Sequence, residues 1–359
     1  MMRKVGILSM QRIPNYGSFL QAYGLKKIIE DLGNEVVFVD YTYEAPIVDN
    51  KLTMRKLSKK IVNNLNVVKK VKIRKGWKHF KNEYKMFIKK YFNIGDEKNI
   101  HPQDISNLVI GSDEVFNCMQ GYPVGYSKEL FGANYDNINV ITYAASFGYT
   151  NLEMLEKYGI SDEVAGYLRN LNAISVRDKN SFNIVNQLIG DSPYQNFDPV
   201  LVSEFEYSKK VDLKDYIIVY TYPGRLKKNE EKYIKEFAKK NNKKIVSLGF
   251  YQTIADLNLY VDPLDVFSYF KNADFIITDT FHGTIFSIKT NSKFCTIIRD
   301  SNKNKMSDLL KKLKQEDRKV ELLKDIDVMY NQEIDYTETN ELIRNERKRT
   351  IEYLKEKIK

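Results

Sequence analysis

The chain has 359 residues, 43% of them hydrophobic and 29% charged, with only 8 prolines, which argues against disorder and exceeds what most single cores accommodate. Its net charge of +10 is concentrated in residues 51–90, where fifteen Lys/Arg face the single acid Glu83, giving +14 there and −4 elsewhere, a distribution that speaks against nucleic-acid binding by the whole protein. The two cysteines, Cys118 and Cys295, lie far apart without CxxC or Cys/His spacing, so neither a disulfide framework nor a zinc site is expected.

The first residues, MMRKVGILSM, hold too short an apolar run for a secretory signal, and no stretch approaches the roughly 18 apolar residues that span a bilayer. A cytoplasmic protein is expected. KVGILSM reads as a strand, QRIPNYGS as a loop, and FLQAYGLKKIIEDLG as a helix with Leu20, Tyr23, Leu25, Ile28, Ile29 and Leu32 on one face and Gly33 as its stop. EVVFVDY follows as a second strand, completing a βαβ unit. The loop of that unit carries no GxGxxG, and no Walker A pattern occurs anywhere; Asn15, Tyr16, Gly17 and Gln21 are nevertheless candidates to line a ligand site. The alternative is a turn and helix cap.

Residues from about 50 to 100 form a basic helical insertion. Ile73, Trp77, Phe80, Tyr84, Phe87, Ile88 and Tyr91 share one helical face, while Lys72, Lys75, Lys78, Lys81, Lys85 and Lys89 occupy the rest. Such a helix, over 72–91, suits peripheral contact with an anionic membrane or a polyanionic substrate, or else packs on its own protein with a solvated face.

Regular α/β alternation resumes with strands NLVIGSD, NVITYAASFG and NAISVRD, and with helices near 151–170 and 180–190. After FDPVL and a charged stretch near 203–214, a second alternation runs through DYIIVYTYP, a helix at 228–241, KIVSLGF, a helix at 263–271, ADFIITD, a helix from 283, FCTIIRD and a helix at 305–314. This pattern predicts an α/β protein of two Rossmann-like, doubly wound domains facing across a cleft: 1–205, 206–335, and an amphipathic helix at 336–359 that packs on one lobe or back on the first.

Ligands of such sheets bind beyond the carboxyl ends of the strands. The residues there include Ser112 and Asp113, Ser146, Arg177, Tyr222 to Arg225, Asp279 to Thr284, and Arg299, a set that suits a polar anionic substrate. A helix beginning near Gly283 and Thr284 would aim amide groups at an anion, and His282 beside it could transfer a proton. Arg177 and Arg299 are candidates to bridge a phosphate; Asp113 and Asp279 are candidate bases, or else a helix cap and a turn closer. There is no HExxH, so no metal is expected; His79 and His101 read as structural or surface residues.

Taken together, NYGSFLQAYGL, VIGSDEVFN, ITYAASFG, SVRDKNSFNIV, FDPVL and ADFIITDTFHGTIFSIKTNSKF resemble segments of the polysaccharide pyruvyl transferase family, in order and over nearly the whole chain. The resemblance implies two lobes of the GT-B type and transfer of pyruvate from phosphoenolpyruvate, as a ketal, to a lipid-linked or nucleotide-linked cell-surface glycan precursor, with phosphate released and no cofactor. It implies His282 as general acid, Arg177 with the amides of Gly283 and Thr284 as anion holders, and Asp113 or Asp279 as base. Two departures stand out. Well-studied members place an arginine two residues before the histidine, where this chain has Thr280, with Arg299 or Arg225 as replacements from other strands; and Glu114 and Phe116 stand where Gln and Trp are frequent. The competing readings are a GT-B glycosyltransferase using a nucleotide sugar and a non-catalytic glycan-binding or assembly protein.

Overall fold

The structure, a computed structural model, describes residues 3–48, 67–100, 102, 104–207 and 209–359. The start of the basic insertion and His101 lie outside the described residues. The first sheet contains β1 (Lys4–Leu8), β2 (Glu35–Val39), β3 (Asn107–Asp113), β4 (Asn139–Ala145), β5 (Ser175–Val176) and β6 (Tyr194–Gln195), in the order β2-β1-β3-β4-β5-β6. The second contains β7 (Tyr216–Tyr220), β8 (Lys244–Leu248), β9 (Leu257–Leu259), β10 (Phe275–Thr278), β11 (Phe294–Ile297) and β12 (Lys319–Val320), in the order β12-β11-β10-β7-β8-β9. Every pairing is parallel.

Parallel strands covered on both faces need unbroken apolar runs, since neither face meets water. Leu108, Val109 and Ile110 on β3, and Phe275, Ile276 and Ile277 on β10, are all fully buried. In each sheet the chain reverses its winding direction beside the first strand, between β1 and β3 and between β7 and β10. These reversals open a crevice at the carboxyl ends of those strands.

The structure departs from the sequence expectation in several places. The helix near 151–170 is two, Leu152–Lys157 and Ser161–Asn170, because Gly159 takes a left-handed conformation (φ 66°) between them. The strand read over NAISVRD is only the two residues of β5. β6, β9 and β12 were not foreseen, being edge strands of two or three residues without an apolar run. Finally, the helix placed from 283 starts at Phe281, because Thr280 supplies its cap: the Oγ1 accepts from the Gly283 amide at 2.9 Å.

Two helices tie the lobes together. Helix Val67–Phe92 enters from the first lobe and sets Phe92 on Phe19 with centroids 4.6 Å apart, then reaches the second lobe, where Trp77 stacks on Phe250 at 6.3 Å. Lys90 Nζ and Tyr91 Oη both donate to Asp262, at 2.9 and 2.8 Å. Its apolar face is thus used in packing on the protein itself. Helix Thr337–Lys357 follows the second sheet and returns to the first, where Tyr353 Oη donates to Thr142 O at 2.7 Å and Asn107 Nδ2 donates to Lys359 O at 2.7 Å.

Candidate active site

The loop after β1 ends in Asn15, which caps helix Tyr16–Asp31 by accepting from the Gly17 amide at 2.7 Å. The same side chain crosses to the second lobe, donating from Nδ2 to Tyr222 Oη at 3.1 Å. The cap expected of Asn15 as the alternative to a ligand contact is thus present, and the same side chain reaches across the cleft. Gly17 leaves room for a group from the other lobe: a Cβ there would fall 2.2 Å from His282 Nδ1 and 2.3 Å from its Cγ. Only glycine lets the imidazole lie against this helix.

His282 occupies the first turn of helix Phe281–Lys289 and is buried between the lobes. Its Nε2 lies 3.5 Å from Asp198 Oδ2 and has no hydrogen-bond partner among the described residues. Asp198 belongs to the first lobe. Its Oδ1 accepts from the Val200 amide at 3.0 Å and its Oδ2 accepts from Arg177 Nη1 at 2.9 Å. Arg177 also brings Nη2 within 3.5 Å of Asp113 Oδ1, and its Nε has no partner among the described residues. Asp113 Oδ2 accepts from Ser18 Oγ at 2.9 Å, and Ser112 Oγ approaches Asp198 Oδ2 at 3.5 Å. Asp113 holds φ at 80°, in the left-handed region that costs a non-glycine residue energy, a form of strain concentrated at functional sites.

The electrostatics of this cluster follow from buried charges in mutual contact. Burial alone would push the Asp198 carboxyl up; the contact and charge of His282 and the Arg177 guanidinium outweigh it and hold the group below the ordinary carboxylate range. For Arg177, burial would favour the neutral form, but Asp113, Asp198 and Glu114 raise its affinity for the proton further. Its guanidinium carbon sits 4.4 Å from the centroid of Phe281, and Lys305 Nζ lies 5.8 Å from that centroid. Lys305, from helix Lys303–Lys312, pairs across the cleft with Glu114, whose Oε2 accepts from Asn117 at 2.8 Å. Burial works against the Glu114 carboxylate, yet Lys305 and Arg177 bring it down to about 2. Between Arg177, Asp198, Phe281 and Lys305 the lobes leave a gap of about 10 Å³, room for about one water.

Several residues proposed from the sequence stand elsewhere. The Gly283 and Thr284 amides do not offer themselves to an anion: Thr280 takes both, through Oγ1 and through its carbonyl at 3.2 Å. The Thr284 hydroxyl is buried against Thr280 O and Thr296 Oγ1. Arg299 is not available to bridge a substrate phosphate, since its Nη1 and Nη2 grip Glu230 at 2.7 and 2.9 Å and its Nε donates to Asp279 Oδ2 at 3.0 Å. Asp279 is fully buried in that triad; desolvation raises its pKa, with Arg225 and Arg299 opposing. Tyr16 joins the lobes instead of facing a ligand, with Oη donating to Val261 O at 2.7 Å and accepting from the Val261 amide at 2.8 Å. Gln21 is buried behind the loop on Ser9 Oγ and Ser18 O, and Ser146 Oγ donates to Asp178 Oδ2 at 2.5 Å.

Arg225 remains the partly exposed cation of the second lobe's loop. Its Nη2 donates to Ser301 Oγ at 3.0 Å, and its guanidinium lies 5.0 Å from the Tyr222 centroid. Sequence reasoning missed Asp198 and Lys305 altogether. The signal for Asp198 was present in FDPVL: an aspartate before a proline at a helix start is a cap, and its second oxygen is left for something else. His79 packs its ring edge against Tyr260, 5.0 Å between centroids. Among the described residues no three His, Cys, Asp or Glu side chains gather in a way that would hold a metal, and both cysteines are free and buried.

A family model described as polysaccharide pyruvyl transferase matches residues 15–301. No curated protein matches the chain. Among solved structures, a putative UDP-N-acetylglucosamine 2-epimerase from Listeria monocytogenes superposes with a TM-score of 0.54 at 8% identity, over 99% of this chain and 96% of that one. The S. aureus MnaA-UDP co-structure superposes with a TM-score of 0.52 at 11% identity, over 100% of this chain and 97% of that one. At such identities the likeness is one of fold: two Rossmann-like lobes facing across a cleft.

Proposed function

The chain belongs to the polysaccharide pyruvyl transferase family, and on that premise we propose that it transfers pyruvate from phosphoenolpyruvate to two hydroxyls of a sugar in a lipid-linked or nucleotide-linked precursor of a cell-surface polysaccharide, releasing phosphate. The observation that carries this reading is His282: a buried imidazole whose Nε2 has no hydrogen-bond partner among the described residues, placed where both sheets reverse and flanked by the buried Asp198–Arg177 pair.

Such a group suits a general acid. The Asp198 carboxylate lies 3.5 Å from Nε2, too far to tie that nitrogen up in a short hydrogen bond. His282 delivers the Nε2 proton to the methylene carbon of the donor, leaving an oxocarbenium-like centre at the neighbouring carbon. One sugar hydroxyl bonds to this carbon and gives its proton to Asp113, the less buried of the two candidate bases; the second hydroxyl then bonds as the carbon–oxygen bond to phosphate breaks. The proton on the methyl carbon is the one His282 gave; the first hydroxyl's proton passes from Asp113 by way of solvent back to His282, and the second hydroxyl's proton leaves on phosphate. Arg177 and Lys305 stabilise the charge of the leaving phosphate, and Arg225 supplies the cation that Thr280 does not.

The acceptor is proposed to be met in the cytoplasm, at the inner face of the cell membrane. No described helix is long and apolar enough to cross a membrane. A second reading, sugar transfer from a nucleotide sugar, draws support from Thr280, whose short side chain is committed to capping the helix where the family's donor-binding arginine is expected. The deciding experiment mixes protein, phosphoenolpyruvate and a lipid-linked or nucleotide-linked sugar acceptor and measures phosphate. Acceptor-dependent release supports pyruvyl transfer. Its absence, with a nucleoside diphosphate appearing from a nucleotide sugar instead, overturns it in favour of the second reading.

A further inference from the structure

Helix Val67–Phe92 has two faces of different chemistry, and only one is used in packing the protein. Phe80, Tyr84, Ile88 and Phe92 are buried against the lobes. On the opposite side Val71, Lys75, Lys78, Asn82, Lys85, Met86 and Lys89 recur at spacings of three and four, which places them on one stripe. All seven are exposed, Met86 by 56% and Val71 by 44%.

The charges of this face are unbalanced. Between residues 71 and 92 eight Lys/Arg meet the single acid Glu83. Lys85 pairs with the exposed Asp96 and Lys90 with Asp262; Lys72, Arg74, Lys75, Lys78, Lys81 and Lys89 have no acid partner among the described residues. The stripe from Val71 to Lys89 is about 27 Å long at the helical rise. Its inner side abuts the cleft: Trp77 stacks on Phe250, Phe250 lies 5.1 Å from Tyr222, and Tyr222 is the residue to which Asn15 donates.

We propose that this face docks the protein on an anionic lipid surface, with the lysines among the headgroups and Val71 and Met86 at the acyl boundary, so that the mouth of the cleft lies beside the membrane. The interleaved apolar side chains favour a lipid surface over a nucleic acid, because a phosphodiester backbone offers them nothing to contact while the headgroup boundary does. The helix is already folded and clamped by both lobes, so docking costs no ordering of the chain.

The test is sedimentation of the full chain with vesicles of phosphatidylglycerol and phosphatidylcholine, and with phosphatidylcholine alone. Binding is expected to the anionic vesicles only, to weaken with salt, and to fall at least about tenfold in K75E/K78E/K85E/K89E, with an intermediate loss in the milder K75Q/K78Q/K85Q/K89Q. Circular dichroism confirms that each variant is folded. No binding of the wild-type protein at low salt, equal binding of the folded charge-reversed variant, or tighter binding to duplex DNA than to anionic vesicles overturns the proposal. The outcome is separable from that of the proposed reaction: phosphate release with a water-soluble acceptor is expected to be the same in the variants and the wild type.

Discussion

His282 Nε2 lies 3.5 Å from Asp198 Oδ2, and the two residues come from different lobes, so the pair spans the cleft. His282→Gln is expected to lower acceptor-dependent phosphate release by about a hundredfold or more, the range attributed to a general acid. The substitution takes from Asp198 the contact and charge of His282 but leaves it Arg177 and the Val200 amide, so the melting temperature is expected to fall by a few degrees without loss of the fold. A rate equal to wild type would remove His282 from the chemistry.

Asp198 links the same pair to stability. Its folded-state pKa is depressed, so the carboxylate contributes stability at pH values above its unfolded value of about 3.9, and that contribution is lost as pH falls through the folded value. Asp198→Asn keeps an oxygen to cap Val200 but leaves Arg177 with a weaker partner. The expected cost is about 3 kcal/mol at pH 7, shrinking as pH falls below about 3.9 and through the folded value. Urea unfolding of wild type and variant at pH values on either side of that fall measures it; a difference independent of pH would show that the charge is not what holds the lobes here.

Gly17→Ala tests the contact between helix Tyr16–Asp31 and the imidazole. The new methyl would meet Nδ1 and Cγ of His282 at 2.2 and 2.3 Å, and a ring cannot yield at its root as a flexible side-chain tip could. Displacing the acid by an ångström is expected to cost about a hundredfold in kcat. Far-UV circular dichroism would stay as in wild type, since alanine suits a helix interior. An unaltered kcat would mean that His282 has freedom the closed cleft does not display.

What the sequence revealed about this site was position along a strand, and what it hid was pairing between distant elements. Asn15, Asp113 and His282 follow long apolar runs, so their place at the carboxyl ends of strands could be read directly. Asp198 follows β6, only two residues long, and precedes a helix of four, Pro199–Val202; neither leaves a periodic signal. Arg299 looked available because Glu230, its partner, lies 69 positions away on another helix. The Gly283 and Thr284 amides were misjudged by a shift of two residues in the helix start, since a threonine cap uses the first donors that a bare terminus would expose.

Thr280 leaves open which arginine meets the donor, and the structure separates the two replacements. Arg299 spends three of its nitrogens on Glu230 and Asp279, inside the second lobe. Arg299→Ala strands both carboxylates, one fully buried and one nearly so, and is expected to destabilise the fold by about 3–5 kcal/mol. Arg225 is nearly a third exposed and holds Ser301 and the Asp279 carbonyl at 3.0 and 3.4 Å, with its Nη1 3.7 Å from Asp279 Oδ1, while Asp279 keeps the 3.0 Å contact to Arg299 when Arg225 is removed. Arg225→Ala is therefore expected to leave the melting temperature within a few degrees, while the KM for phosphoenolpyruvate rises about tenfold or more, the loss of one charge-assisted contact. Steady-state kinetics and thermal unfolding of the two variants, measured side by side, decide the matter. An intact KM in a stable Arg225→Ala would assign the donor's anion to Arg177 and Lys305 alone.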